Sequence, residues 1–152
     1  MIHIQIAKSI LPYNGPLATD KLLERAAQQT LQQTGAPPEA ELTIVLTDEA
    51  QLHALNQQFL GIDAPTDVLS FPGGDTDPDS QALYLGDVLI SYPRALAQAT
   101  SAGHPVEEEL QLLVVHGVLH LLGHDHTTED EQAAMWAIQT QALQSLGVSI
   151  RP

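Results

Sequence analysis

A chain of 152 residues fits one domain with a sizeable core and is short for two. Its 19 acidic against 5 basic residues give a formal net charge of −14, which argues against general, salt-driven binding to nucleic acid but leaves room for a local positive site at a bound cation. Cysteine is absent, so no disulfide framework and no thiolate ligand exists; residues 1–6 lack a signal-peptide pattern and no run nears transmembrane length, so the expectation is a cytoplasmic protein with no membrane partner.

Residues 2–6 alternate apolar and polar, the pattern of a half-buried strand. Pro12, Asn14, Gly15 and Pro16 make a turn region. Thr19 is placed to cap a helix to about Thr34, with an apolar stripe of Leu22, Leu23, Ala26, Ala27 and Leu31 and a stop at Gly35. After Pro37-Pro38, residues 41–46 read as a second strand. Thr47 is the expected cap of a second helix whose core face is Leu52, Leu55 and Phe59, closed by Gly61. Residues 65–72 form a strand with a proline at each end, which limits its pairing. Residues 73–82 are an acidic connection, expected to be mobile. Residues 84–91 give a fourth strand, interrupted at Gly86-Asp87.

Pro93 suits the first turn of a third helix ending near Gly103. Pro105 opens a fourth, with Glu107, Glu108 and Glu109 at its positive end and Leu110, Leu113, Val114, Val118 and Leu121 along its apolar face. Thr128 caps a last helix to about Leu146, stopped by Gly147. The order predicts a single α+β domain over residues 1–152: one mixed sheet of about four strands, packed with about five helices. The fourth helix, apolar around much of its circumference, would be central.

Four of the seven histidines fall within residues 116–126. His116 and His120 are four apart, about 40° of rotation and roughly 6 Å of rise on a helix, so both rings leave one face. Gly123 supplies the left-handed conformation at which the chain reverses. A reversal there brings His126 over the same ion as a third ligand. Three protein ligands leave one coordination position open, as a catalytic zinc site requires; a structural site is usually closed by four. His124 and His126 alternate across Asp125, so an extended turn points them apart. His126 is therefore assigned as ligand, and His124 to the surrounding shell or solvent.

An open zinc position makes hydrolysis the default reaction class. The metzincin peptidase pattern, H-E-x-x-H-x-x-G-x-x-H, shares the three histidines and the glycine with this chain. Gly117 stands where that pattern has its glutamate base, and losing such a base costs about 10²–10⁴-fold, so peptide hydrolysis is disfavoured.

The segment 116–126, with Pro65-Thr66-Asp67-Val68-Leu69-Ser70-Phe71-Pro72 and Leu85-Gly86-Asp87-Val88-Leu89-Ile90-Ser91, resembles the YbeY family of bacterial endoribonucleases, also called rRNA maturation factors. The similarity runs from Leu55-Asn56 to Met135. The resemblance implies a zincin-like fold and a zinc-dependent, single-strand-specific endoribonuclease with one zinc per chain. It implies action in small-subunit rRNA 3′-end maturation and ribosome quality control. By motif position His116, His120 and His126 are the zinc ligands. The implied partners are precursor small-subunit rRNA and ribosomal particles, with a small-subunit ribosomal protein or an assembly GTPase as further candidates. Family members commonly place an arginine, tied to RNA cleavage, where this chain has Leu60. Either Arg94 or another cation replaces it, or cleavage is weak, or a partner supplies the charge. Where His124 stands, the family more often has tyrosine; a histidine there is able to donate to a phosphate or a leaving oxygen.

Other candidates are weaker. Asp87, a carboxylate inside a strand, needs a partner and is able to orient a ligand histidine, or else to bond backbone or a hydroxyl. Asp125 is a candidate base, against a turn-stabilising role. Thr66, Asp67 and Ser70 line the cleft in one reading, and Asp67 caps a turn in another. His104 reads as a helix-opening residue, His3 and His53 show no constellation, and Met135 and Trp136 are expected to pack the last helix onto the core. Two rival functions remain: a non-catalytic ribosome-assembly factor with a structural zinc, and a metallopeptidase.

Overall fold

The computed structural model describes residues 2–10, 19–73 and 83–149. The elements run β1 (Ile2–Ile6), a short 3-10 turn (Lys8–Ile10), α1 (Thr19–Thr34), β2 (Glu41–Thr47), α2 (Glu49–Leu60), β3 (Val68–Pro72), β4 (Tyr84–Ser91), α3 (Tyr92–Ala102), α4 (Val106–Leu121) and α5 (Glu129–Ser145). The strands form one sheet in the order β1-β2-β4-β3. β1, β2 and β4 are parallel, and β3 pairs antiparallel with β4, so the sheet is mixed, as predicted. β2 and β4 are buried nearly throughout, as inner strands covered by helices must be. β1 alternates half-buried and exposed residues, as its sequence pattern requires.

Helices α1, α4 and α5 pack together on one face of the sheet, and α2 covers part of the other. α4 is the central helix: eleven of its residues are buried, including Leu110, Leu113, Val114, Val118 and Leu119. Its face meets Leu42, Ile44, Val88 and Ile90 of the inner strands in the main core. A smaller cluster on the opposite face joins Leu52 of α2 to Leu69 and Leu89. α4 reaches the sheet unusually closely at Gly117. A Cβ there would lie 2.5 Å from Val88 Cγ1, and the Ser70 hydroxyl donates to the Gly117 carbonyl at 2.9 Å.

Several boundaries differ from the sequence reading. Thr19 is the first residue of α1, so the cap position falls before it, outside the described residues. Asp48 rather than Thr47 caps α2, accepting the Gln51 N–H at 2.7 Å; Thr47 closes β2, and its hydroxyl bonds the Gln51 side chain. The buried face of α2 is Leu52 with Asn56; Leu55 is half-buried and Phe59 exposed, because only part of this helix lies over the sheet. β3 starts at Val68, three residues after the first proline. The turn at residues 12–16 and the acidic connection beyond Gly73 lie outside the described residues.

Candidate metal centre

The last two turns of α4 place His116 and His120 on one face, ring centroids 4.7 Å apart. The helix ends at Leu121, with Leu122 as its C-cap. Gly123 takes φ 94, and the His124 N–H returns to the Leu119 carbonyl at 3.0 Å, which turns the chain back. The ring of His126 then stands 5.6 Å from that of His116 and 5.3 Å from that of His120. Asp125 holds this turn. One carboxylate oxygen accepts the His126 N–H at 2.7 Å and the other the Thr127 hydroxyl at 2.9 Å. The first of these bonds, then the second, keeps the Asp125 carboxyl below its usual range, which makes it a weak base.

One ring nitrogen from each of His116, His120 and His126 lies within 4.8 Å of the others. His116 Nδ1 faces Gln139 Oε1 at 3.0 Å, and an amide oxygen only accepts, so the single N–H of neutral His116 is spent there. Its Nε2 therefore turns a lone pair toward His120 Nε2, 3.1 Å away. A cation shared among the three rings suits that lone pair; tetrahedral zinc at its usual bond length spaces its donors by roughly 3.3 Å. Burial, the largest cause, lowers the His116 pKa, with His120 and His126 adding to it; burial and then His126 lower that of His120. Both rings are thus neutral at pH 7, the form that binds metal. The donor set is all imidazole, which suits zinc, nickel, copper or iron.

The centre opens into a cleft of about 690 Å³ along the free edge of β3, lined among others by Asn56, Leu60, Ile62, Thr66 and Ser70. No Lys or Arg among the described residues lines it. A second cavity, about 370 Å³, lies behind His116 and is lined by Asp67, Gln98, His104, Glu109 and Gln139. Asp67 also borders the first cleft; its carboxylate accepts from Gln98 at 3.3 Å, which is not a turn cap. His104 bonds Glu109 at 2.8 Å across the first turn of α4, as a helix-opening residue would.

In two places the structure decides between alternatives that the sequence left open, and Asp87 takes the hydroxyl one. Asp87 orients no histidine: strand alternation puts it on the sheet face opposite α4, where its carboxylate accepts from Tyr84, itself bonded to Thr43. Arg94 does not stand in at Leu60, because its guanidinium pairs with Glu49 on α2 and lies outside the cleft lining. Leu60 does line the cleft. His3 and His53 are engaged with Glu41 and Asp63, away from the centre. His124 is half-buried, its backbone bonded to the His120 ring.

One residue escaped the sequence reading, and another was read only in part. Gln139 is fully buried on α5, in the stripe of Met135, Ala142 and Leu143; a polar side chain on a core face was the available signal. Trp136 does more than pack the core. Its ring lies 5.8 Å from His116 and 5.6 Å from His126, walling the centre.

Comparison with known proteins agrees with this geometry. Residues 14–147 match the family model described as endoribonuclease YbeY. The chain is 43% identical to an endoribonuclease YbeY of Roseiflexus castenholzii, covering 97% of this chain and 96% of that one. It is 44% identical to another from Pelotomaculum thermopropionicum, covering 89% and 93%. The solution structure of TM1509 from Thermotoga maritima superposes with a TM-score of 0.58 at 25% identity, over 97% of this chain and 92% of that one. On this sequence similarity the chain belongs to the endoribonuclease YbeY family.

Proposed function

We propose that this protein is a zinc-dependent endoribonuclease, one hydrolase domain with one ion per chain, that cuts single-stranded RNA during 3′-end maturation of small-subunit rRNA and in ribosome quality control. The observation that carries the reading is the convergence of His116, His120 and His126 at the floor of an open cleft, in a chain whose relatives are named endoribonucleases. When bound, zinc polarises a phosphoryl oxygen and acidifies water, which brings hydrolysis within reach at neutral pH.

The chain's own residues supply the rest. Gln139 holds the His116 ring with Nε2 toward the site. Asp125 fixes the turn that carries His126. We assign His124, in the same turn, to donate a proton to a phosphate or to the leaving oxygen. Gly117 leaves no room for a carboxylate base at its position, since even a Cβ meets Val88. That packing argues against the metallopeptidase reading.

Precursor small-subunit rRNA and ribosomal particles are the proposed partners, with a ribosomal protein or an assembly GTPase beside them. No described helix is long and apolar enough to cross a membrane; the proposed location is the cytoplasm. One observation favours a second reading, a non-catalytic assembly factor: the cleft lining among the described residues lacks Lys and Arg. Incubating purified protein with single-stranded RNA, beside His116→Ala, separates the two. Cleavage lost in the variant supports the enzyme. Equal cleavage by both marks contamination, and no cleavage by either favours the binding factor.

A further inference from the structure

Three large apolar side chains stand exposed within four residues at the end of α2, two of them, Leu60 and Ile62, lining the histidine cleft: Phe59 and Leu60 at 58% and Ile62 at 51%. Scattered exposed apolar residues are ordinary, whereas a contiguous group marks a contact surface. The group is built on a firm turn. Gly61, at φ 70, caps α2; the Ile62 N–H bonds the Asn56 carbonyl at 3.3 Å, and the Asn56 amide bonds the Ala64 carbonyl at 2.9 Å. Phe59 is braced edge-on against Phe71 of β3, centroids 5.4 Å apart at 67°. Leu60 and Ile62 line the same cleft as the three histidines, so the surface continues into the candidate centre.

Charge narrows the occupant. No Lys or Arg among the described residues lines the cleft, Arg94 is paired with Glu49, and Asp67 borders it with negative charge. A phosphate finds no counter-charge on this wall, whereas a flat uncharged ring finds apolar surface. We propose that Phe59, Leu60 and Ile62 form a stacking platform for an unpaired nucleobase of the RNA, next to the phosphate that is cut. Every base has a π-face, so such contact tolerates any sequence. A base within a duplex has both faces taken by its neighbours and gains nothing from the platform. The proposal rests on the reading of RNA as substrate, and supplies a physical basis for single-strand preference.

The test uses the zinc-loaded full chain and a single-stranded oligoribonucleotide carrying 2-aminopurine, whose fluorescence falls on stacking. Stopped-flow mixing reads binding before cleavage. Wild-type protein quenches the probe. Phe59→Ala weakens binding about tenfold, within the range for loss of one stacked base. Leu60→Ser and Ile62→Ser give smaller losses, and Phe59→Tyr retains binding. The losses do not depend on salt, because no counterion is released. An abasic site at the probe position costs wild type as much as Phe59→Ala does, and costs that variant nothing more. Should Phe59→Ala not fold, the two serine variants carry the comparison, since both side chains are exposed. Equal binding by wild type and variants overturns the platform, as do additive losses. Variants that bind RNA normally yet no longer co-sediment with small-subunit particles also overturn it, in favour of a protein-docking patch. Failure of the cleavage reading shows separately, as wild-type protein that quenches the probe and leaves the strand intact.

Discussion

Replacing Gln139 by leucine separates metal affinity from fold stability. The change removes the acceptor that faces His116 Nδ1 at 3.0 Å. Outer partners of metal-bound histidines typically contribute about 10–100-fold in affinity, or about 1.4–2.7 kcal/mol. In the metal-free protein two effects oppose. Leaving the buried His116 Nδ1–H without its acceptor costs about 1–3 kcal/mol, while Gln139 Nε2, buried with no partner among the described residues, carries a similar penalty of about 1–3 kcal/mol that leucine removes. Leucine is close in volume, so no large cavity forms in this fully buried position. Metal affinity should therefore fall at least tenfold while the metal-free Tm stays close to that of wild type. Gln139→Glu, which keeps an acceptor, should hold zinc at least as tightly as wild type. Competition against a chromophoric chelator gives the affinities, and thermal unfolding of stripped protein gives the stability. Affinity within twofold of wild type would refute the reasoning. So would an affinity loss matched by an equal loss of metal-free stability, which would point to a general packing fault.

Gly117→Ala should destabilise the protein by about 1–3 kcal/mol through overpacking against Val88, measured by urea unfolding; an unchanged midpoint would mean that α4 moves away freely. Metal-free protein should lose stability as pH falls below about 6.5, because the lowered His116 and His120 values mean that the unfolded chain binds more protons there. A Tm that stays flat or rises between pH 7 and 5, in chelator, would contradict this. Leu60→Arg should raise the rate of cutting single-stranded RNA and steepen its salt dependence, since it brings a cation to a cleft whose described lining has neither Lys nor Arg. Kinetics across a salt series check both effects.

The candidate metal centre was legible because the convergence of its three histidines depends on local geometry: an i,i+4 pair, a glycine reversal and a histidine three residues beyond. The strand and helix order was legible for a similar reason, since periodicity and caps such as Thr128 act within a few residues. What escaped depends on contacts distant in sequence. Gln139 reaches His116 across 23 residues from another helix. Asp87 had a position in a strand but no sheet face until its register with Phe71 and Thr43 was known. Phe59 fits the apolar period of α2, yet α2 overhangs the sheet there, and periodicity carries no information on where the supporting surface ends.

X-ray absorption at the zinc edge of the loaded, untagged protein, taken with His126→Ala, bears most directly on the shared ion. The account predicts four nitrogen or oxygen neighbours near 2.0 Å, with outer-shell scattering from three imidazole rings and the fourth position filled from solvent, and the loss of one ring's outer-shell signal in the variant. A shell closed by four protein ligands, or a spectrum that His126→Ala leaves unchanged, would contradict it.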